Sequence, residues 1–230
     1  MAKKDKLVSG ADTHFEFQDP KAVARFLKLV KVEDPGTVVI AGDILDEYTL
    51  SKFLRVPSNR GFTDEIQAGK KFLYDLREAA PDANIVVESG NHDQRAFKRI
   101  IEKLPEIHGL ITFGGLLGCE ELSILVLDDV EGVNYYEWHD VVVGHFNKAV
   151  KQAGRSSYAL MEQYHKNFIQ PHAHRGGLSF KRFWDHELWA MDLPCLCRLD
   201  PKFCVRPDWT QGAALVEWDG TKSIPHLIKF

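Results

Sequence analysis

"TVVIAGDILDE", residues 37–47, is the stretch on which the fold turns. Its opening apolar, β-branched run, within "TVVIAG" (37–42), reads as a strand buried on both faces. Such strands belong to parallel sheets covered by helices, not to sheets with one wet face. Gly42 then breaks the run, and two carboxylates, Asp43 and Asp46, follow three positions apart. Acids in that place stand beyond the carboxyl end of a buried strand, where open α/β sheets collect their ligands.

Working outward, the same grammar repeats. "KLVSGA" (6–11), "NIVVESG" (84–90), "LSILVLD" (122–128) and "DVVVGH" (140–145) read as further buried strands. Between the first two, Asp19 caps and Pro20 opens a helix over 19–32, with Val23, Phe26, Leu27 and Val30 on one face. Helices are also predicted over 63–80, ended by Pro81, and over 93–104, ended before Pro105. Strands alternating with helices predict an α/β fold. After a helix starting near 156, the shorter segments "HELWAMDL", "QGAALVEW" and "IPHLIKF" read as antiparallel strands between turn residues. Residues 48–62 are the least regular stretch and read as an excursion, either a lid or a plain loop.

The bulk properties bound the function. With 230 residues, 44% hydrophobic and 27% charged, the chain has ordinary globular composition and can form one domain over 1–230. A formal charge of −4 gives no global drive toward nucleic acid or anionic lipid. The lysine-bearing N-terminus lacks an apolar core of signal-peptide length, and no apolar run approaches a membrane span. The four cysteines, Cys119, Cys195, Cys197 and Cys204, suit a reduced compartment where thiols pack as small hydrophobes. The expectation is a cytoplasmic protein with no membrane partner.

Every predicted strand end carries a polar donor. "ADTH" gives Asp12 and His14, "GDILD" gives Asp43 and Asp46, and "GNHD" gives Asn91, His92 and Asp93. His145 ends a further strand, and "QPHAHRGG" adds His172 and His174. Residues i and i+2 of an extended segment point the same way, so Asp12 with His14, and His172 with His174, are each expected to grip one site. Mixed carboxylate, imidazole and amide donors suit manganese, iron, zinc or nickel rather than calcium or a thiolate zinc site. One carboxylate, Asp43, could bridge two such ions.

This order of motifs, from Asp12 to His174, resembles that of the calcineurin-like metallophosphoesterases, and the compact phage and bacterial members in particular. The resemblance implies a four-layer α/β/β/α sandwich with two mixed sheets and a dinuclear centre, manganese being the first choice. By the same resemblance, Asp12, His14, Asp43 and His174 would hold one ion, and Asp43, Asn91, His145 and His172 the other. His92 would be the catalytic acid facing the phosphate, oriented by Asp46. The implied activity is metal-dependent hydrolysis of phosphate mono- or diesters by a metal-bound hydroxide, with nucleotides or nucleic-acid ends as substrates. The contrasting readings are a catalytically silent scaffold and a nucleic-acid-binding protein. Three departures stand out. Pro171 replaces the family's glycine before His-x-His, and Gly144 precedes His145 instead of following it, which makes His139 a rival ligand. Glu47 stands where the family's protein phosphatases carry a phosphate-binding arginine. Arg95 and Arg175 are the candidate substitutes as substrate ligands.

Other features have plainer readings. Asp93 reads as a cap on the helix after it, and His108, His165, His186 and His226 as surface or satisfied histidines. "CLCRLDPKFC" lacks a paired-knuckle zinc pattern, so buried thiols are preferred. Trp184, Trp189, Trp209 and Trp218 read as core or edge packing. Seven cations between 148 and 182, against Glu162 alone, predict a basic rim beside the site.

Overall fold

The computed structural model describes residues 5–52, 61–130, 132–200 and 207–230. In chain order the first elements are β1 (Lys6–Gly10), α1 (Pro20–Glu33), β2 (Thr37–Ala41), α2 (Phe62–Ala79), β3 (Asn84–Glu88) and α3 (Arg95–Lys103). There follow α4 (Phe113–Leu117), β4 (Leu125–Leu127), β5 (Tyr135–Trp138), β6 (Val141–Gly144) and α5 (Arg155–Tyr164). The last are β7 (Asn167–Gln170), β8 (Gly177–Arg182), β9 (Glu187–Asp192), β10 (Gly212–Trp218) and β11 (Ser223–Lys229).

These strands make two mixed sheets, in the orders β11-β10-β1-β2-β3-β4 and β5-β6-β7-β9-β8. β1 to β4 run parallel, with β10 and β11 added antiparallel at one side. In the second sheet β6, β7 and β9 are parallel, and β5 and β8 are antiparallel edges. Three apolar interfaces stack the layers. Phe26, Val30, Phe72, Leu73, Leu76 and Phe113 of α1, α2 and α4 pack on Val8, Val38, Ile40 and Ile85 of the first sheet. The opposite face of that sheet, with Leu7, Val39 and Val86, meets Val141, Val143, Ile169 and Met191 of the second. Leu160 and Met161 of α5 cover Val142, Phe168 and Ala190 on the outside. The result is the α/β/β/α arrangement with two mixed sheets. β2 reads as an unbroken apolar run because its successive residues face these two different interfaces.

Local signals act as their chemistry dictates. Asp19 accepts the Lys21 and Ala22 N–H groups at 2.8 and 3.3 Å and so starts α1, whose buried face is Ala22, Phe26 and Val30. The cap assigned to Asp93 is corrected. Its carboxylate instead accepts from Gly90, Leu45 and Ile44 N–H at 2.8, 2.7 and 3.2 Å, which ties the loop after β2 to the loop after β3. Trp184 is also corrected, since it is 99% exposed at the β8–β9 turn. Trp189 is buried with Nε1 donating to Ser223, and Trp218 stacks on His139. The irregular stretch 48–62 falls partly outside the described residues, as do Arg55 and Arg60, which the sequence offers as further cations for the basic rim, and Cys204. What is described there is a single 3-10 turn over Tyr48–Leu50.

Candidate metal centre

The loops leaving β1, β2, β3, β6 and β7 at their carboxyl ends converge on one cluster. They carry Asp12 and His14, Asp43 and Asp46, Asn91 and His92, His145, and His172 and His174 respectively. Asp12, His14, Asp43, Asp46, His145 and His174 are buried, and Asn91, His92 and His172 are half-buried. Strand alternation does not aim them. Asp12, His14, Asp43, His172 and His174 all have positive φ, between 45° and 74°, each in a turn after its strand has ended. Side chains other than glycine rarely adopt that conformation, and it concentrates at functional sites.

Two glycines make the convergence possible. A Cβ on Gly90 would lie 2.2 Å from Asp43 Oδ1 and 2.5 Å from Asp43 N. On Gly42, whose φ is +83°, it would meet His145 and the Gly90 backbone at 2.8 and 2.9 Å. The "AGD" and "SGN" turns therefore touch backbone to backbone.

Asp12, His14 and His174 bring three donor atoms within 4.8 Å of one another, and Asp43, His145 and His172 form a second such set. In the first, His174 Nε2 is 3.6 Å from Asp12 Oδ1 and 3.3 Å from His14 Nε2. Asp43 Oδ2 lies between the sets, 3.2 Å from His145 Nε2 and 3.8 Å from His14 Nε2. Asp12 Oδ1, Asn91 Oδ1 and His145 Nε2 are buried with no hydrogen-bond partner among the described residues. Buried polar atoms are rarely left so, and a mixed oxygen and nitrogen donor set fits divalent cations. His145 Nδ1 pairs with Asn147 Oδ1 at 3.0 Å, which leaves Nε2 as the lone pair facing the cluster. His139, the rival, pairs with Asp5 and stacks on Trp218 at the other end of the sandwich.

The histidine expected to act as the acid also meets its expected support. His92 Nδ1 lies 2.9 Å from Asp46 Oδ1, and the same oxygen lies 3.0 Å from His14 Nδ1. Asp46 thus orients two imidazoles, where the motif order suggested one. Arg95 donates from Nη1 to the Asp46 carbonyl at 2.6 Å and brings Nη2 to 3.1 Å from His92 Nε2. Arg175 instead pairs with Asp208 at 2.7 Å. Glu47 is fully buried and accepts the Ala96 N–H at 2.5 Å, at the first turn of α3, so it faces away from any substrate. Glu65 in turn accepts from the Glu47 and Tyr48 N–H groups.

The basic rim is smaller than the linear reading expects. Lys166, Lys181 and Arg182 lie at the ends of β7 and β8 away from the cluster. Lys166 pairs with Glu137, and Lys181 with Glu162. Lys148 and Lys151 remain exposed on the loop after His145. Cys119, Cys195 and Cys197 are buried free thiols. The last two lie against His174, a neighbourhood whose signal in the sequence is the Cys-x-Cys spacing.

Without cations, the charges of the cluster lean on one another. Burial opposes the charge on Asp12 and Asp46, yet imidazoles hold both carboxyls below their ordinary range: His174 and His145 beside Asp12, His14 and His92 beside Asp46. Burial likewise disfavours His145⁺, but Asp43 and Asp12 raise it well above its ordinary value. His172 is pushed down to about 4 by burial and the charge on His145. His92 is raised, Asp43 and Asp46 outweighing its burial.

The family model for calcineurin-like phosphoesterases matches residues 11–207. The Gene 54 protein of Mycobacterium phage D29 is 26% identical, the alignment covering 99% of this chain and 94% of that protein. The Gene 54 protein of Mycobacterium phage L5 is 23% identical with the same coverage. Among solved structures, Vps29 from Chaetomium thermophilum aligns over 100% of this chain and 97% of its own at 9% identity, with a TM-score of 0.49. A single mutant of Vps29 from Entamoeba histolytica aligns over 98% and 99% at 11% identity and a TM-score of 0.47.

Proposed function

The chain belongs to the calcineurin-like phosphoesterase family, and from that premise we propose that it hydrolyses phosphate esters with the help of two divalent cations. In this reading Asp12, His14 and His174 hold one ion and Asn91, His145 and His172 the other, with Asp43 shared between them. When bound, such a pair, manganese by preference, supplies an activated solvent nucleophile and positive charge for the phosphoryl oxygens. The observation that carries the reading is the pair of buried donor sets joined by Asp43, with orphaned donor atoms at Asp12 and His145 inside them and a third at Asn91.

The remaining steps belong to this chain's own side chains. Asp46 holds the Nδ1 side of His92, and Nε2, which accepts from Arg95 Nη2 here, carries the proton given to the departing oxygen once Arg95 turns to the substrate. Carboxylates at Asp43 and Asp46 favour the protonated ring, which suits an acid at neutral pH. Arg95, already at His92 Nε2, binds a phosphoryl oxygen beside the bond that breaks. The finer proposal is that the ester is a nucleotide or a nucleic-acid end. Its support is the exposed Lys148 and Lys151 beside the cluster, and the edge-on contact of Trp209 with His174 at 4.2 Å.

The test is a metal-supplemented screen of model mono- and diesters, nucleotides, and single-stranded and duplex oligonucleotides. Turnover that needs a divalent cation and disappears on chelation is expected. Two bound ions with no turnover of any ester would leave a scaffold or a nucleic-acid binder, and would overturn the proposal.

A further inference from the structure

Beside the cluster lies a second set of donors of a different chemical kind. His174, Cys195 and Cys197 bring one ring nitrogen and two sulfurs within 4.8 Å of one another, all three residues buried. Cys197 Sγ is 3.8 Å from His174 Nδ1, the nitrogen turned away from Asp12. The separation is near the edge of a tetrahedron drawn around a zinc ion with bonds of roughly 2.0–2.3 Å. Cys195 and Cys197 are two apart on the segment after β9, and isolated bridges pin each of them, Cys195 to Gln211 and Cys197 to Gln18.

The bland reading, thiols packed as small hydrophobes, holds for Cys119 and fails here. Cys119 sits inside the apolar layer under α2 and α4. Cys195 and Cys197 belong to none of the three apolar clusters. Their sulfurs face polar atoms instead. Cys195 Sγ donates toward the Thr210 carbonyl at 3.4 Å, and Cys197 Sγ meets an imidazole. His174 itself holds a left-handed φ of 58°, which turns one nitrogen to the carboxylates and the other to the thiols.

We propose that His174, Cys195 and Cys197 form a separate site for a thiophilic divalent cation such as zinc or cadmium, joined to the main centre through the two nitrogens of one imidazole. Binding replaces two S–H bonds by two metal–sulfur bonds and releases two protons. The His174 ring gives up a third when both its nitrogens carry ions. The Thr210 carbonyl or a solvent molecule completes four-coordination. An ion there would fix the ring that the main centre uses, so occupancy of one site bears on the other. This site stands apart from the proposed hydrolysis, because soft sulfur donors select different metals from the oxygen-rich centre.

Anaerobic titration of the full, reduced chain with cobalt(II) alone tests it. A sulfur-to-cobalt charge-transfer band in the near ultraviolet is expected. The Cys195→Ser/Cys197→Ser double variant, which keeps Cys119 and Cys204, should lose the band and one bound cobalt per chain. Cys119→Ser and Asp43→Asn should both keep the band, so failure of the phosphoesterase centre would not remove it. If the double variant does not fold, Cys197→Ala alone should abolish or markedly weaken the band. No band at saturation, or a band that survives in the cysteine variants, overturns the proposal.

Discussion

At the scale of single residues, the centre separates holding from reacting. Asp43 has one carboxylate oxygen near both donor sets, as Asp12 does, while His92, which shares a donor group with His14 and Asp43, has its ring pinned by Asp46. Asp43→Asn should therefore reduce both metal content and turnover. His92→Ala should retain the ions and lose rate by about 10²–10⁴-fold, the usual worth of a general acid. Metal analysis beside kinetics distinguishes the two, and a His92→Ala protein of normal rate removes that residue from the chemistry. Glu47 makes a different prediction. Its carboxyl is pushed up to about 9 by burial and the nearby Asp93, from an ordinary 4.5. An acid with a raised folded pKa stabilises the fold fully below its unfolded value and loses that contribution as pH climbs through the folded one. Glu47→Gln keeps an oxygen for the Ala96 N–H but does not titrate. The melting temperature of Glu47→Gln relative to the parent should thus rise steadily from pH 5 to pH 9, the limit being about 1.4 kcal/mol per pH unit. A difference that is flat across this range would show that Glu47 ionises normally.

At the scale of elements, tight turns matter more than the strands they follow. Adding a methyl at Gly90 would drive a carbon into Asp43, so Gly90→Ala should cost about 1–3 kcal/mol and weaken metal uptake. Gly109 has a positive φ, +88°, and open space around it, so Gly109→Ala should leave metal uptake unchanged. Equal metal binding by the two variants in calorimetric titration would contradict the close-approach argument. The same contrast explains what could be read in advance. β1, β2, β3 and β6 are buried on both faces and announce themselves as apolar runs, and seven of the nine site residues stand just beyond them; His172 and His174 follow β7, whose polar ends Asn167 and Gln170 hide it. β5 and β8 are edge strands with Tyr135 and Phe180 exposed, so no burial pattern marks them. α4 holds two glycines in five residues and depends on Thr112 Oγ1 accepting the Gly115 N–H, which reads as a loop. Residues 121–123 are a turn, which with Ile124 trims the strand predicted over 122–128 to three residues. Cross-chain pairings carry no local signature either. Asp208 reaches Arg175 and Glu137 reaches Lys166 from outside the segment whose charge they cancel, so counting cations along 148–182 overstates the rim.

At the scale of the whole molecule, the centre joins the two sheets. β1, β2 and β3 of the first sheet supply Asp12, His14, Asp43 and Asn91, and β6 and β7 of the second supply His145, His172 and His174. Neither sheet alone presents either donor set complete, because His174 completes the first and Asp43 the second. Ions bound in these two sets would clamp both halves of the sandwich, and the sets are complete only when the halves are assembled. Ligands that bind the folded state alone stabilise it by about 2.7 kcal/mol at one hundred times their dissociation constant. For a chain of this size each kcal/mol moves the melting temperature by roughly 2–4 °C. Saturating manganese should accordingly raise the melting temperature of chelator-stripped protein by about 5–10 °C, and the gain should be absent in Asp43→Asn. Stripped protein that melts at the same temperature with and without manganese, in scanning calorimetry, would mean that the donors seated between the sheets hold no ion that matters to the fold.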